Sequence, residues 1–481
     1  ELVKGSLNTF LNAMTYPDKT VYPIASCNDK DFQNLMHVYM DAVFYPNIYK
    51  KEEIFKQEGW HYELNDVEDA ITYNGVVYNE MKGAFSSPEQ QLYRNIQQSL
   101  FPDTAYGVES GGDPASIPDL TYEDYLAFHK KYYHPSNSYI YLYGDMDVEE
   151  KLRWMDEKYL SHFSYAPVDS EIKFQKPFAK TKEVVEAYPL TEGEDSKDKT
   201  YISYNTVVDT SLNKELYVAF QILEYVLIDN PGAPLKQALL DKGIGKDILS
   251  SYDNGILQPV FSIIAKDANE EQKDAFMDIL TSTLQKLVKE GLDEQALLAA
   301  ITYFEFKYRE ADFGSYPKGL MYGLQMFDSW LYSDTEIFTH ILANDTFAFL
   351  KQQIKSGYFE KLIEKYLLHN AHSTIVIVKP EEGLTAKKDA LVAEELAKYK
   401  ASLSQEQLEQ LVKDTKALKA YQEEPSTQEE LESIPMLTRE DMKKEVRPLI
   451  SQEREAEGQK IIFQDVYTNG IAYIKFVFDI S

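Results

Sequence analysis

One order of elements occurs twice in this chain. A β-type run from Val21 to Ser26 leads through Asn28 and Asp29 into a helical stretch around Phe32 to Phe44, a break at Pro46, and a further stretch from Glu52 to Leu64. A second β-type run, Val260 to Ala265, leads through Asp267 and Asn269 into a stretch around Lys273 to Glu290, a break at Gly291, and a long helical stretch from Asp293 to Arg309. Strand, acidic turn, helix, short turn and helix thus recur in the same order, and similarity at this scale points to a tandem of related α/β units. Chance likeness of two generic units is the alternative reading, and duplication is the expectation.

The 481 residues, 44% of them hydrophobic, are enough for two or three domains with their own cores. Residues 1–165 alternate helical and strand patterns, starting from the extended Thr20 to Ser26 and ending on a strand-like Tyr139 to Tyr143. Residues 166–196 carry Pro167, Pro177, Pro189 and the acidic run Glu192 to Asp195, and read as an extended connection. A second domain is predicted over 197–385. Residues 386–440 are rich in Lys, Glu, Ala and Leu, with capping boxes at Ser404/Gln407 and Ser426/Glu429 and a break at Pro425, which predicts a helical hairpin acting as a linker. Strand patterning resumes at Lys460 to Asp465 and Ala472 to Asp479, around a turn at Thr468 to Gly470. Two strands do not make a stable domain, so 441–481 reads as the beginning of a third domain of a longer protein. The fold class is α+β, with antiparallel-rich sheets packed by helices.

Composition removes several functions. A net charge of −30, from 49 basic and 79 acidic residues, argues against nucleic-acid or anionic-membrane binding, which need concentrated positive surface. It favours cationic partners, or serves only to keep a large protein in solution. The single cysteine, Cys27, excludes an internal disulfide and suits a reducing compartment, a bacterial cytoplasm or alternatively an organelle matrix. The most apolar stretch, Tyr217 to Ile228, is interrupted by Gln221 and Glu224 and is shorter than the roughly 20 residues a membrane span requires. The chain opens on Glu1 with no leader pattern, so any targeting segment is expected to lie outside it.

Phosphate-binding glycine loops, a Gly-x-Ser-x-Gly elbow and paired Cys-x-x-Cys are all missing from the sequence, which removes nucleotide and serine-hydrolase readings. The eight histidines are scattered. His129 and His134 fall on different helical faces, and His369 and His372 precede the apolar run Ser373 to Val378, so each reads as a turn or edge histidine bonded to backbone. One carboxylate stands out. A helix over Tyr73 to Phe85 puts Val76, Glu80, Gly83 and Ala84 on one small, apolar face, while Lys82 points elsewhere. A buried Glu80 would need a partner, either a metal ion or a basic side chain from another element.

The segment Asn79 to Gly83 resembles the one carrying the third zinc ligand in the inverted-motif (insulinase-type, pitrilysin-family) zinc metallopeptidases, in the branch of the presequence proteases and falcilysin. Lys4 to Thr20, Gln57 to Leu64, Ser110 to Pro114, His129 to Asn137, Tyr143 to Asp145 and Phe313 to Gly319 are similar to the same branch. The resemblance implies two related insulinase-type domains in this chain, a helical linker, and a second half that closes with the first into a chamber where unstructured peptides are cut by metal-activated water. It makes Glu80 the distal zinc ligand. The family's His-x-x-Glu-His, with two zinc ligands and the general base, is absent from this sequence and by resemblance would end shortly before Glu1. No catalytic residue is therefore assigned here, and the chain alone is expected to be inactive and not to retain Zn2+, since zinc takes about three protein ligands. Leu11, Asn12, Ala13, Met14 and Thr15 resemble the family's substrate-binding edge strand. The implied partners are peptide substrates and the C-terminal half of the same protein. The alternative is a non-catalytic, peptidase-like scaffold or peptide-binding subunit.

Overall fold

The computed structural model describes residues 2–445 and 450–480. Glu1, where the first domain was expected to begin, and residues 446–449 and 481 of the 441–481 segment lie outside the described residues.

The first part of the chain is built from short ladders and helices. β1 (Asn8–Leu11) pairs antiparallel with β4 (Ile24–Ser26), and β2 (Met14–Thr15) with β3 (Thr20–Val21). α1 (Asp29–Phe44) starts where Asn28 accepts the Asp31 N–H, with Asp29 and Asp31 placed against the positive end of the helix. α2 (Glu52–Glu58) stops at Gly59 and gives way to β5 (His61–Glu63), which pairs with β6 (Thr72–Asn74), so Glu52 to Leu64 is not the single helix expected. α3 (Val76–Ala84), α4 (Pro88–Leu100), α5 (Tyr122–Tyr132) and α6 (Val148–Lys158) follow. Tyr139 to Tyr143 was expected as a strand; among the described residues it joins no ladder. Alternating tyrosines there meet a helix instead of a strand edge.

The second part is organised by one five-stranded sheet in the order β7 (Lys182–Leu190), β11 (Ser373–Glu382), β8 (Thr200–Val207), β10 (Val260–Ala268) and β9 (Asp247–Asp253). Every pairing is antiparallel except β7 with β11. The expected extended connection over 166–196 therefore contributes a strand. Its charges and Pro189 hid it, and they are tolerated because β7 lies at the edge of the sheet, with a partner on one side only.

Both faces of this sheet are covered. On one face α7 (Lys214–Glu224), α8 (Pro234–Leu240), α9 (Lys273–Glu290), α10 (Glu294–Glu310), α12 (Asn344–Gln353) and α13 (Tyr358–Leu362) pack against Ile202, Tyr204, Phe261, Ile263 and Ala265. On the other, Leu92, Ile96 and Leu100 of α4 pack against Tyr188, Tyr201, Ile264, Val376 and Val378. All of β8 is buried for that reason. The apolar stripe of α4, spaced four apart, comes from the first part of the chain and closes the core of the second. α11 (Lys318–Trp330) runs between the two parts.

α14 (Leu384–Ser402) and α15 (Gln405–Glu423) form the expected hairpin, turning at the Ser404/Gln407 capping box. The second box is at Thr427/Glu430, one residue beyond the expected pair, and opens the short α16 (Gln428–Ser433). The hairpin packs on β5 and β6 through Leu396, Leu64 and Ile71, and Leu64 N–H bonds Thr415 Oγ1 at 3.1 Å. β12 (Gln452–Ala456) and β13 (Gln459–Phe463) pair antiparallel with largely exposed side chains. Ala472 to Asp479, expected as a strand, joins no ladder among the described residues, because alternation makes a strand only where a partner edge takes its hydrogen bonds. Among the described residues no helix is long and apolar enough to cross a membrane.

Candidate functional site

The expected substrate strand lies on one extended run formed by β1 and β2. One side of the run is paired: Leu11 opposes Ile24, Met14 opposes Val21, Thr15 opposes Thr20, and Asn12 N–H reaches Pro23 O at 3.3 Å. Because successive N–H groups point to opposite edges of a strand, those of Leu11 and Ala13 face the other side. There the Ala13 N–H meets only its neighbour's Asn12 Oδ1, at 2.9 Å. Among the described residues no strand pairs with that second edge. Asn12, Ala13 and Thr15 are exposed, and Leu11 and Met14 are half-buried.

The loop before α11, which includes Phe313 to Gly319, comes beside this run. Phe10 of β1 packs on Tyr316 with ring centroids 5.9 Å apart. α11 then lies against the chain at Tyr139 to Tyr143. A Cβ on Gly319 would collide with the Tyr143 ring, and one on Gly323 would sit 2.8 Å from Tyr141 Cε1, so the seam admits only glycine at these positions without movement.

Glu80 is carried by α3. The helix begins at Gly75, whose φ of 150° and close approach to the Gly59 carbonyl exclude a side chain. The face shared by Val76, Glu80, Gly83 and Ala84 is uncovered except at Ala84, which is half-buried, so the condition under which Glu80 would need a partner does not arise. Val76 is 50% exposed, Glu80 and Gly83 are exposed, and a Cβ on Gly83 would meet nothing within 4 Å. The helix buries its opposite side, through Tyr78. Residue spacing told which positions share a face, but the apolar face is the uncovered one. Among the described residues no hydrogen bond or ion pair involves the Glu80 carboxylate, and Lys82 pairs instead with Asp389 of α14 at 2.8 Å.

Around Glu80 the helix is braced by a relay that the sequence did not disclose. Lys419 of α15 donates to Glu63 Oε1 at 2.8 Å, Asn74 Nδ2 donates to Glu63 Oε2, and Asn74 Oδ1 accepts both the Gly75 N–H and Asn79 Nδ2 at 2.8 Å. The Lys419 ammonium first, then Asn74 and Asn65, hold the Glu63 carboxyl down to about 2 despite its partial burial. Only the Asn74-Gly75 pair, a turn signal before a helix, marked this junction in the sequence.

Three of the four histidines read as turn or edge groups bond backbone through their rings. His129 Nε2 lies 2.9 Å from Val43 O, His372 Nε2 lies 2.9 Å from Leu100 O, and His134 Nδ1 accepts the Ser136 N–H. Among the described residues no group of three or more His, Cys, Asp or Glu side chains is arranged to hold a metal ion. Glu80 offers one carboxylate where a zinc site takes about three protein ligands, so these residues alone do not fit that ion.

Two family descriptions match the sequence: the inactive domain of peptidase family M16 over residues 119–304, and the associated region of subfamily C of that family over 378–481. The protein HypA of Clostridium perfringens is 48% identical over 479 residues, covering 100% of this chain and 49% of that protein. Presequence protease 1, chloroplastic/mitochondrial, of Arabidopsis thaliana is 41% identical over 489 residues, covering 100% of this chain and 45% of the relative. The chain thus spans about half the length of these curated relatives. Among solved structures, a protease from Helicobacter pylori superposes with a TM-score of 0.59 at 18% identity, covering 77% of this chain and 82% of that one. A peptidase M16 inactive domain from Pseudomonas fluorescens gives 0.57 at 15% identity, covering 77% and 81%. Both likenesses concern the fold.

Proposed function

Since the chain belongs to the M16 peptidase family, we propose that it is the peptide-gripping half of a zinc-dependent oligopeptidase that degrades unstructured peptides. The open edge of the run from Leu11 to Thr15 carries this reading. An extended peptide adding there would be held by main-chain hydrogen bonds, which give affinity with little sequence preference. Such an edge accepts a flexible peptide and rejects a folded domain, whose backbone groups are already paired.

Glu80 is the one zinc ligand we assign to this chain. Its exposed carboxylate on a braced helix suits a donor completed by groups from outside these residues. No hydrolytic step is assigned to the chain, and by itself it is inert toward peptides. The remaining partner is a second half of the same protein, closing over the peptide to form a chamber. The two related units are 1–165 and a second one that, with β7 included, starts earlier than residue 197 and ends near 385; the α14–α15 hairpin links them to that second half. The single cysteine favours a cytoplasm or an organelle matrix.

The test is fluorescence anisotropy of a labelled, extended peptide with the purified chain, beside a fluorogenic peptide assay with and without zinc. Binding without turnover is expected. No binding would remove the strand's assigned role. Zinc-dependent cleavage, abolished by chelation and by Glu80→Gln, would overturn the inertness of the chain.

A further inference from the structure

The turn joining β2 to β3 is anchored far more heavily than a surface hairpin requires. Tyr16 N–H closes it on Lys19 O at 2.8 Å, with Pro17 inside. The two residues after Pro17 are charged, yet both are withdrawn from water: the Asp18 side chain is 0% exposed and that of Lys19 9%. Burying a charge pair on a tight turn is costly unless every donor and acceptor is met. Most of the partners come from distant parts of the chain. Asp18 Oδ2 accepts the hydroxyls of Tyr106 and Tyr332, each at 2.6 Å. Asp18 Oδ1 lies 3.1 Å from Lys19 Nζ, which also donates to Gly255 O at 3.1 Å. The Tyr106 hydroxyl in turn accepts the Leu257 N–H at 3.0 Å. Gly255 and Leu257 belong to the loop between β9 and β10, and Tyr332 follows α11. The Lys19 ammonium also acts electrostatically on the buried Asp253 and Asp328 carboxyls of the second part.

Three positions separate Asp18 from Thr15, the last residue of the open-edged run. A hydrogen-bonded turn that short transmits position, so the anchor fixes where the strand lies against the second sheet. We infer that Asp18 and Lys19 are positioning residues for the peptide-pairing strand, holding Leu11 to Thr15 in place from Tyr106, Tyr332 and Gly255 across the boundary between the two parts of the chain. The inference rests on the reading of that strand as a peptide site. Affinity for peptide then depends on hydroxyls that touch no peptide.

Tyr332→Phe and Tyr106→Phe each delete one oxygen, and Lys19→Met deletes the charge while keeping the stem. In the 481-residue chain, hydrogen exchange would be followed at residues 8–15 and in β8 and β10, together with anisotropy of the labelled extended peptide. Exchange in residues 8–15 should accelerate at least about tenfold and peptide affinity should fall by a similar factor, while β8 and β10 keep their protection. Lys19→Arg should restore part of both. Unchanged exchange in the strand, or an equal rise across β8 and β10, would overturn the positioning role in favour of plain stabilisation. Variants that bind peptide as tightly as the wild type would also overturn it, leaving the peptide site standing. A wild-type chain that binds no peptide would instead remove the site itself, and the positioning role with it.

Discussion

Tyr217 of α7 donates its hydroxyl to Asp328 of α11 across 2.7 Å. The same tyrosine stacks on His340 with ring centroids 3.7 Å apart and planes 22° from parallel. α11 is thus tied to the core of the second sheet at one end and seated on Tyr141 and Tyr143 along its glycine face. It is the element through which the first part of the chain feels the second.

That contact should report pH. Burial pushes the Asp328 carboxyl up to about 7 from an ordinary 3.8, with Asp253 and Asp18 adding to the shift and Tyr217 and Lys19 opposing it. The folded state binds this proton more tightly than the unfolded one. The stabilising contribution is therefore complete below pH 3.8 and is lost as pH rises through 7. Asp328→Asn keeps an acceptor for Tyr217 and removes the titration. Stability measured by denaturation from pH 4 to 8 should fall less steeply in the variant, by up to about 1.4 kcal/mol per pH unit; identical slopes would refute the assignment.

Glu63 has the opposite sign. Held down to about 2 by Lys419, Asn74 and Asn65, its carboxylate stabilises the fold above pH 4.5, and the contribution disappears as pH falls through 2. Glu63→Gln should cost roughly 1–3 kcal/mol at pH 7, with the gap to the wild type narrowing as pH approaches 2. A gap that stays constant with pH would point to packing instead of charge.

Glu80→Gln should leave thermal stability unchanged within about 0.5 kcal/mol, because an exposed carboxylate with no partner among the described residues supports nothing in the fold. A fall of several degrees in Tm would mean the residue is structural.

Ala13→Pro removes an N–H that faces the open edge and has only an adjacent side chain as partner. Peptide binding should drop by an order of magnitude or more while near-ultraviolet circular dichroism is retained. Unaltered binding would place the peptide elsewhere.

Gly323→Ala forces a methyl to within 2.8 Å of Tyr141 Cε1. Overpacking of this kind costs about 1–3 kcal/mol, and Tyr141→Ala in the same chain should recover part of it. Additive losses in the double variant would show that the two residues do not meet.

The sequence was most legible where one element answers to its own residues. Lys273 to Glu290 and Asp293 to Arg309 are helices because their periodicity and caps, Asn269 with Gln272 and then Asp293, are local. The strand at Val260 and the hairpin box at Ser404 follow for the same reason. Lys182 to Leu190 was not legible, because an edge strand next to one partner can carry Glu183, Glu186 and Pro189 at no cost in burial. The exposure of Glu80 was not legible either, since spacing alone puts Val76, Glu80 and Gly83 on one face and leaves open whether anything covers it.

By itself the sequence determined most of the element types, the order in which they recur, the family likeness and the two places where chemistry was to be sought, Glu80 and Leu11 to Thr15. Only the tertiary structure decided that α4 completes the second core, that Asn74, Glu63 and Lys419 brace the Glu80 helix, and that Asp18 and Lys19 are buried between Tyr106, Tyr332 and Gly255. The reason is physical: periodicity and caps depend on neighbours three or four residues away, whereas a buried charge depends on partners far along the chain, which only folding brings within hydrogen-bond reach.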